Sequence, residues 1–256
     1  MTATGDSGRS ILEITGDDRV AFLQGLVTND LSRLAEGPVY AALLTPQGKY
    51  LADFFLVADG DRVLLDTAAG LAPDLLRRLG LYRLRADVAI AKTGLTVTRG
   101  LGGRPAGAVA VADPRHPALG WRAYTAPEAA PEAAPQDWDA IRVTHCIPEY
   151  PQELQPGESF ILEAGFERLH GVDHRKGCYV GQEVTARMKH KTELRKGFAT
   201  VTVEGEAEPG TEITADGKPV GRLCTRSRGQ AIAYLRFDRA GPDMRAGGAR
   251  VGWQGG

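Results

Sequence analysis

A chain of 256 residues has room for one large domain or two to three small ones, and 43% hydrophobic residues suffice for a well-formed core. A formal net charge of -1, with 25% charged residues, argues against a protein whose main business is gripping phosphate backbones, so no direct nucleic-acid partner is expected. No run of 18 apolar residues is present, and no membrane span is expected.

Met1 to Ser10 is polar and carries Arg9 as its one base, so neither a secretory nor an organelle leader is expected. The three cysteines, Cys146, Cys178 and Cys224, are odd in number and far apart. That spacing points to reduced thiols in the cytoplasm rather than to a disulfide scaffold. A monomer is expected.

Ser10 to Ile14 reads as a short strand. Asp17 or Asp18 can cap a helix carrying Val20, Phe22, Leu23, Leu26 and Val27 on one face, with Asn29 and Asp30 near its end. Val39 to Thr45 and Tyr50 to Ala58 flank the turn Pro46-Gln47-Gly48-Lys49, and Arg62 to Asp66 adds a third antiparallel strand. Leu71, Leu75, Leu76 and Leu79 mark a helix stopped by Gly80, and Leu81 to Ala91 and Leu95 to Arg99 read as strands. Ala123 to Gln136, rich in Ala, Pro and Glu, is an exposed connection, and Trp138 to Val143 opens a new element. Ile147 to Phe160 is loop-like, and Phe160 to Leu169 is either extended or helical. Beyond Leu194, strands at Lys196 to Val203, Val220 to Thr225, Gln230 to Phe237 and Ala249 to Trp253 are separated by turns at Glu208-Pro209-Gly210 and Asp216-Gly217-Lys218, which suggests a small barrel. The order of elements indicates an α+β fold rather than a doubly wound sheet.

The most informative stretch is Lys176-Gly177-Cys178-Tyr179-Val180-Gly181-Gln182-Glu183. Gly177 and Gly181 permit sharp turns or close backbone approach. Lys176, with Arg175, would favour the thiolate of a nearby Cys178. Gln182 and Glu183 offer directional polar contacts, and Arg187, Lys189, His190 and Lys191 continue a basic run. On chemistry alone the stretch reads equally as a buried cysteine in a glycine-bounded turn with surface ion pairs. A nucleophilic Cys178 needs a base, and His170 and His174 lie upstream at spacings that do not prove contact. The cysteine spacings match no compact ligand pattern, so no permanently bound metal is expected.

The octet KGCYVGQE resembles the K-G-C-[YF]-x-G-Q-E signature of the YgfZ/IBA57 family. Phe22 to Asp30 resembles that family's first helix and polar pair, Thr45 to Phe54 its first hairpin, and Leu81 to Arg85 a strand entry. Val220 to Leu223 and Ala233 to Arg236 resemble its terminal barrel, so the likeness covers nearly the whole chain. The family is related to the T-protein of the glycine cleavage system. The resemblance implies an α+β fold with antiparallel sheets and three domains in a ring around a central cavity: residues 1–45 with 137–195, an insertion at 46–125 joined by a connection at 126–136, and a β-barrel at 196–256.

It further implies a tetrahydrofolate-binding accessory protein supporting assembly or repair of iron–sulfur clusters in client enzymes, tRNA-modifying enzymes among them. The partners implied are iron–sulfur client or assembly proteins, and the cofactor tetrahydrofolate or a related reduced folate. Cys178, Lys176 and Asp53 are the candidates for chemistry. Gln24, Asn29, Asp53, Gln182, Glu183 and Arg187 are the candidates for folate, with Lys176, Arg187 or Lys189 for its glutamate tail. The alternative is a folate-dependent aminomethyl or one-carbon transferase. Two departures bear on it: Ala52-Asp53 stands where the T-protein relatives have an acidic pair, and Thr144 stands near their pterin-clamping glutamate. Cys146 stands where the family usually has glycine. A genuine aminomethyltransferase is therefore not expected.

Overall fold

The computed structural model describes residues 8–190 and 194–255, so Lys191 and the first seven residues lie outside the described part. The chain divides into two compact units, Met1–Gln136 with Glu167–Val184, and Asp137–Phe166 with Thr185–Gly256.

In the first unit, β1 (Arg9–Thr15) leads into a short helix α1 (Arg19–Gln24) and a 3-10 turn at Leu31–Ala35. Asp18 occupies the helix N-cap position but makes no side-chain cap. Its carboxylate instead accepts the Asp87 backbone N–H at 2.8 Å, a long-range bond that local pattern cannot reveal. The expected continuation of α1 to Val27 gives way to the 3-10 turn, whose N-cap Asp30 accepts from the Ser32 N–H.

β2 (Val39–Leu44) is buried at every position and β3 (Tyr50–Asp59) over most of its length, which matches their continuous apolar runs. Gly48 takes φ +74 in the turn between them, where a Cβ would be strained. With β4 (Arg62–Ala68) and β5 (Ala89–Lys92) they form an antiparallel sheet in the order β2-β3-β4-β1-β5, which runs across residue 46 without a break.

α2 (Ala72–Tyr82) buries Ala72, Leu75 and Leu79, but it does not stop at Gly80. The chain leaves the helix through Leu84, at φ 44, and a turn in which the Ala86 N–H donates to the Arg83 carbonyl. The strand expected from Leu81 is thus confined to β5. A second antiparallel sheet follows, β6 (Thr96–Gly100), β7 (Val109–Ala112) and β8 (Trp121–Thr125), in the order β6-β8-β7. Charge ties the two sheets of this unit together. Asp66 of β4 accepts from Arg9 Nε at 2.7 Å, Arg122 Nε at 3.0 Å and the Tyr124 hydroxyl at 3.0 Å. Arg122 also reaches Asp113, itself paired to Arg115.

In the second unit, α3 (Trp138–Thr144) is capped by Asp137, which accepts from the Ala140 N–H at 2.9 Å. It ends at Cys146, whose φ of 48 is a left-handed helix stop of the kind glycine usually supplies. Phe160 to Leu169 is neither strand nor helix but a run of turns. α4 (Gln182–His190) runs from one unit into the other.

Six strands close the barrel: β9 (Lys196–Glu204), β10 (Glu212–Ala215), β11 (Lys218–Ser227), β12 (Gln230–Arg236), β13 (Met244–Ala246) and β14 (Ala249–Gly252), ordered β10-β11-β12-β9-β14-β13. Asp216 (φ 49) and Gly217 (φ 71) make the two-residue turn whose twist matches a hairpin. The α+β class, the antiparallel sheets and the C-terminal barrel are as expected from the sequence. No helix among the described residues is long and apolar enough to cross a membrane.

Candidate functional site

The signature segment is a loop anchored on both sides of its cysteine. Upstream, the buried Lys176 ammonium donates to the carbonyls of Gln24 (2.7 Å), Val27 (2.6 Å) and Asn29 (3.0 Å), three acceptors for three N–H bonds. It also lies 5.3 Å from the centre of the Tyr179 ring. Burial pushes its pKa down to about 8, while Asp30 and Asp173 pull it upward. Downstream, Tyr179 is buried, and its N–H donates to Gln182 Oε1 at 3.1 Å while the Gln182 N–H donates back to its carbonyl at 3.2 Å. Between these anchors Gly177 and Cys178 are exposed. The result is a solvent-facing thiol on a fixed loop, as accessible sulfur chemistry requires.

Gly181 sets the depth of the loop. It takes φ +83, and a Cβ there would lie 2.6 Å from the Thr45 carbonyl oxygen and 3.1 Å from Gly48 Cα. The loop thus rests backbone against backbone on the β2–β3 turn. Gly181→Ala should cost roughly 2–4 kcal/mol, because strain and overlap add; a urea midpoint unchanged from wild type would contradict this.

The other expected residues are placed differently. Lys176, expected as the cation beside the thiol, gives its ammonium to the α1 turn. Gln24 accepts the Leu31 N–H at 2.8 Å and donates to Asp30 at 3.0 Å. Asn29 donates both amide hydrogens, to the carbonyls of Tyr40 (2.8 Å) and His170 (2.7 Å). Asp53 is 4% exposed and accepts from the hydroxyls of Tyr40 (3.0 Å) and Tyr50 (2.6 Å). Burial, with Asp53 alongside, holds the Tyr50 hydroxyl pKa well above its usual range, so Tyr50 stays a donor. Lys176, Gln24 and Asn29 are brought together, and Asn29 meets Tyr40, whose ring end caps Asp53. Glu183 and Arg187 lie exposed on α4, one turn apart.

The sequence reading missed Asp30, Tyr40, Tyr50 and Tyr179. Asp30 has its pKa held below the usual carboxylate range by the Ser32 N–H and hydroxyl. The tyrosines sit inside apolar strand and loop patterns that mark them only as core.

A pterin edge needs open donors and acceptors. Of the residues expected to supply them, Gln24, Asn29 and Asp53 have theirs turned into the fold, so this set does not fit folate as it stands. The thiols also divide. Cys224 is buried, its pKa pushed up to about 12 by burial, and Cys146 packs against the apolar cluster that contains it. Among the described residues no group of three His, Cys, Asp and Glu side chains could hold a metal ion.

Residues 195–254 match the CAF17 C-terminal β-barrel domain. The chain is 31% identical over 269 residues to the human mitochondrial iron–sulfur cluster assembly factor IBA57, covering 89% of this chain and 75% of that protein. It is 29% identical to the mouse IBA57 protein, with 90% and 76% covered. It is 33% identical to the homologue from Mycosarcoma maydis over 73% of this chain and 54% of that one. The crystal structure of glycine cleavage system aminomethyltransferase T from Bartonella henselae matches at a TM-score of 0.77, over 96% of this chain and 82% of that chain, at 13% identity, a likeness of fold. These relatives correct one expectation: the IBA57 proteins are mitochondrial, which overturns the cytoplasmic setting inferred from reduced thiols and a polar start. Sequence likeness lies with the assembly factors rather than with the aminomethyltransferase, in keeping with the doubt about transferase activity raised by Ala52 and Thr144. On the strength of the human relative, the chain belongs to the YgfZ/IBA57 family.

Proposed function

We propose that this protein is an accessory factor in iron–sulfur cluster assembly or repair, acting through the Cys178 thiol. The observation that carries the reading is the exposure of Cys178 between two anchored neighbours, in a chain whose relatives are named for cluster assembly. Clusters are held by several thiolates. One accessible cysteine supplies one, so a cluster handled here is cargo shared with thiolates of a client or assembly protein. Lys176 and Gln182 position the sulfur; neither needs to touch the cargo.

Folate capture is the finer part of the reading, and its weight falls on Glu183 and Arg187 of α4, since Gln24, Asn29 and Asp53 serve the fold and Gln182 Oε1 is engaged by Tyr179. Calorimetric titration with tetrahydrofolate should show heat that is lost in Arg187→Ala; saturable binding indifferent to that change would move the ligand elsewhere. The transferase alternative needs an accessible carboxylate, and Asp53 is sealed beneath two tyrosines.

The test of the main reading is complementation. In cells lacking the protein, the wild-type chain should restore iron–sulfur enzyme activity and Cys178→Ser should not, while the melting temperatures of the two agree within about 2 °C, as befits an exposed site. Full restoration by Cys178→Ser would end the thiol reading, and a joint loss of activity and stability would make the cysteine structural.

A further inference from the structure

A second surface feature lies away from the thiol, where the chain leaves α2. Leu81 is 66% exposed, Tyr82 39% and Leu84 88%, three large apolar side chains within four residues. Single exposed leucines are ordinary; a contiguous set calls for an explanation. Arg83 and Arg85 alternate with them and are also exposed. Neither makes an ion pair among the described residues, whereas Arg77 and Arg78, earlier in α2, are both paired to Asp74.

The segment is held in shape. Leu84 adopts φ 44, which a leucine rarely does, and the Ala86 N–H closes the turn onto the Arg83 carbonyl at 2.8 Å. At its base the Asp18 N–H donates to the Asp87 carbonyl at 3.2 Å and the Asp87 N–H donates to the Asp18 carboxylate at 2.8 Å. A Cβ on Gly16 would lie 2.1 Å from the Asp87 carbonyl oxygen, so the base is tightly seated. Preorganised display of this kind lowers the ordering cost of association.

We propose that Leu81–Arg85 is a docking knob for a partner protein that presents an apolar recess rimmed by carboxylates. Leucine and tyrosine fill the recess, and the unpaired guanidiniums take the carboxylates in the planar geometry that arginine favours. This inference stands whether or not the protein handles iron–sulfur cargo.

The test places a photoreactive benzoyl-phenylalanine at Leu84 in the full chain, expressed in cells lacking the native protein. Illumination should give an adduct with one protein whose crosslinked peptide carries Asp or Glu. That protein, purified, should bind the wild-type chain and bind Arg83→Glu/Arg85→Glu about tenfold or more weakly at an unchanged melting temperature. Reversing the partner's carboxylates to Lys should restore binding to the double variant. The proposal is overturned by an absence of protein adducts, by adducts to a second copy, or by binding indifferent to the double reversal. Leu84-dependent binding to phosphatidylglycerol–phosphatidylcholine vesicles without a protein adduct would replace it with a lipid surface.

Discussion

Lys176→Met should lower stability by about 3–5 kcal/mol, with a fall in melting temperature on the order of 10 °C. Methionine keeps the apolar stem but leaves the carbonyls of Gln24, Val27 and Asn29 without their donor, and Val27 lies in the core. Each buried carbonyl stripped of its bond costs about 1–3 kcal/mol, tempered by whatever water enters. Arginine should not rescue the position, since a planar fork cannot aim at three carbonyls converging on one nitrogen. The comparison with Cys178→Ser is the informative one. Lys176→Met is expected to lose activity and stability together and Cys178→Ser activity alone, although a single residue separates them in sequence. Thermal melts of both variants check this; an unshifted Lys176→Met would show that the ammonium holds nothing in place.

Asp66→Asn should cost a similar amount, about 3–5 kcal/mol, by stranding buried arginines. Burial by itself would raise the Asp66 pKa, but Arg122 and then Arg9 outweigh it and hold the carboxyl below its ordinary value. A carboxyl depressed in the folded state contributes stability that is present above its unfolded pKa of about 3.9 and lost as pH falls through its lower folded value. The gap between wild type and Asp66→Asn should therefore be widest near neutral pH and narrow on the acid side. Urea melts at neutral pH and near pH 3 check this, and a gap constant across that range would assign the loss to shape rather than charge. The arginines also surround Phe55, with the Arg122, Arg115 and Arg9 guanidinium carbons 4.1, 4.9 and 5.5 Å from its ring centre, so repacking the site with apolar residues would have to replace those contacts as well.

Local chemistry made much of this fold readable. The β2–β3 hairpin announces itself by apolar runs around Pro-Gln-Gly-Lys, and the long barrel strands by alternation and an Asp-Gly turn. What escaped was set by tertiary partners. β10 and β13, of four and three residues, are too short for a period to show and exist because the barrel closes between them. Gly80 looked like a helix stop, but the left-handed residue that ends α2 is Leu84. At the site, residue type leaves open whether Cys178 is buried in its glycine-bounded turn or exposed, and the structure exposes it, whereas the bonds of Gln24, Asn29 and Asp53 run inward. Residue type reveals that Asn29 can donate two hydrogens, not that Tyr40 and His170 stand waiting for them.

The nesting of Gly181 on the β2–β3 turn has a mechanical corollary. The sulfur takes its coordinates in part from the sheet's hairpin, beside the anchors its own neighbours supply. A slip of one rung between β2 and β3 would carry the octet along by about 3.3 Å, a strand's rise per residue. Lengthening the early hairpin by a single amino acid would thus disturb the seat of the cysteine from a distant part of the sequence.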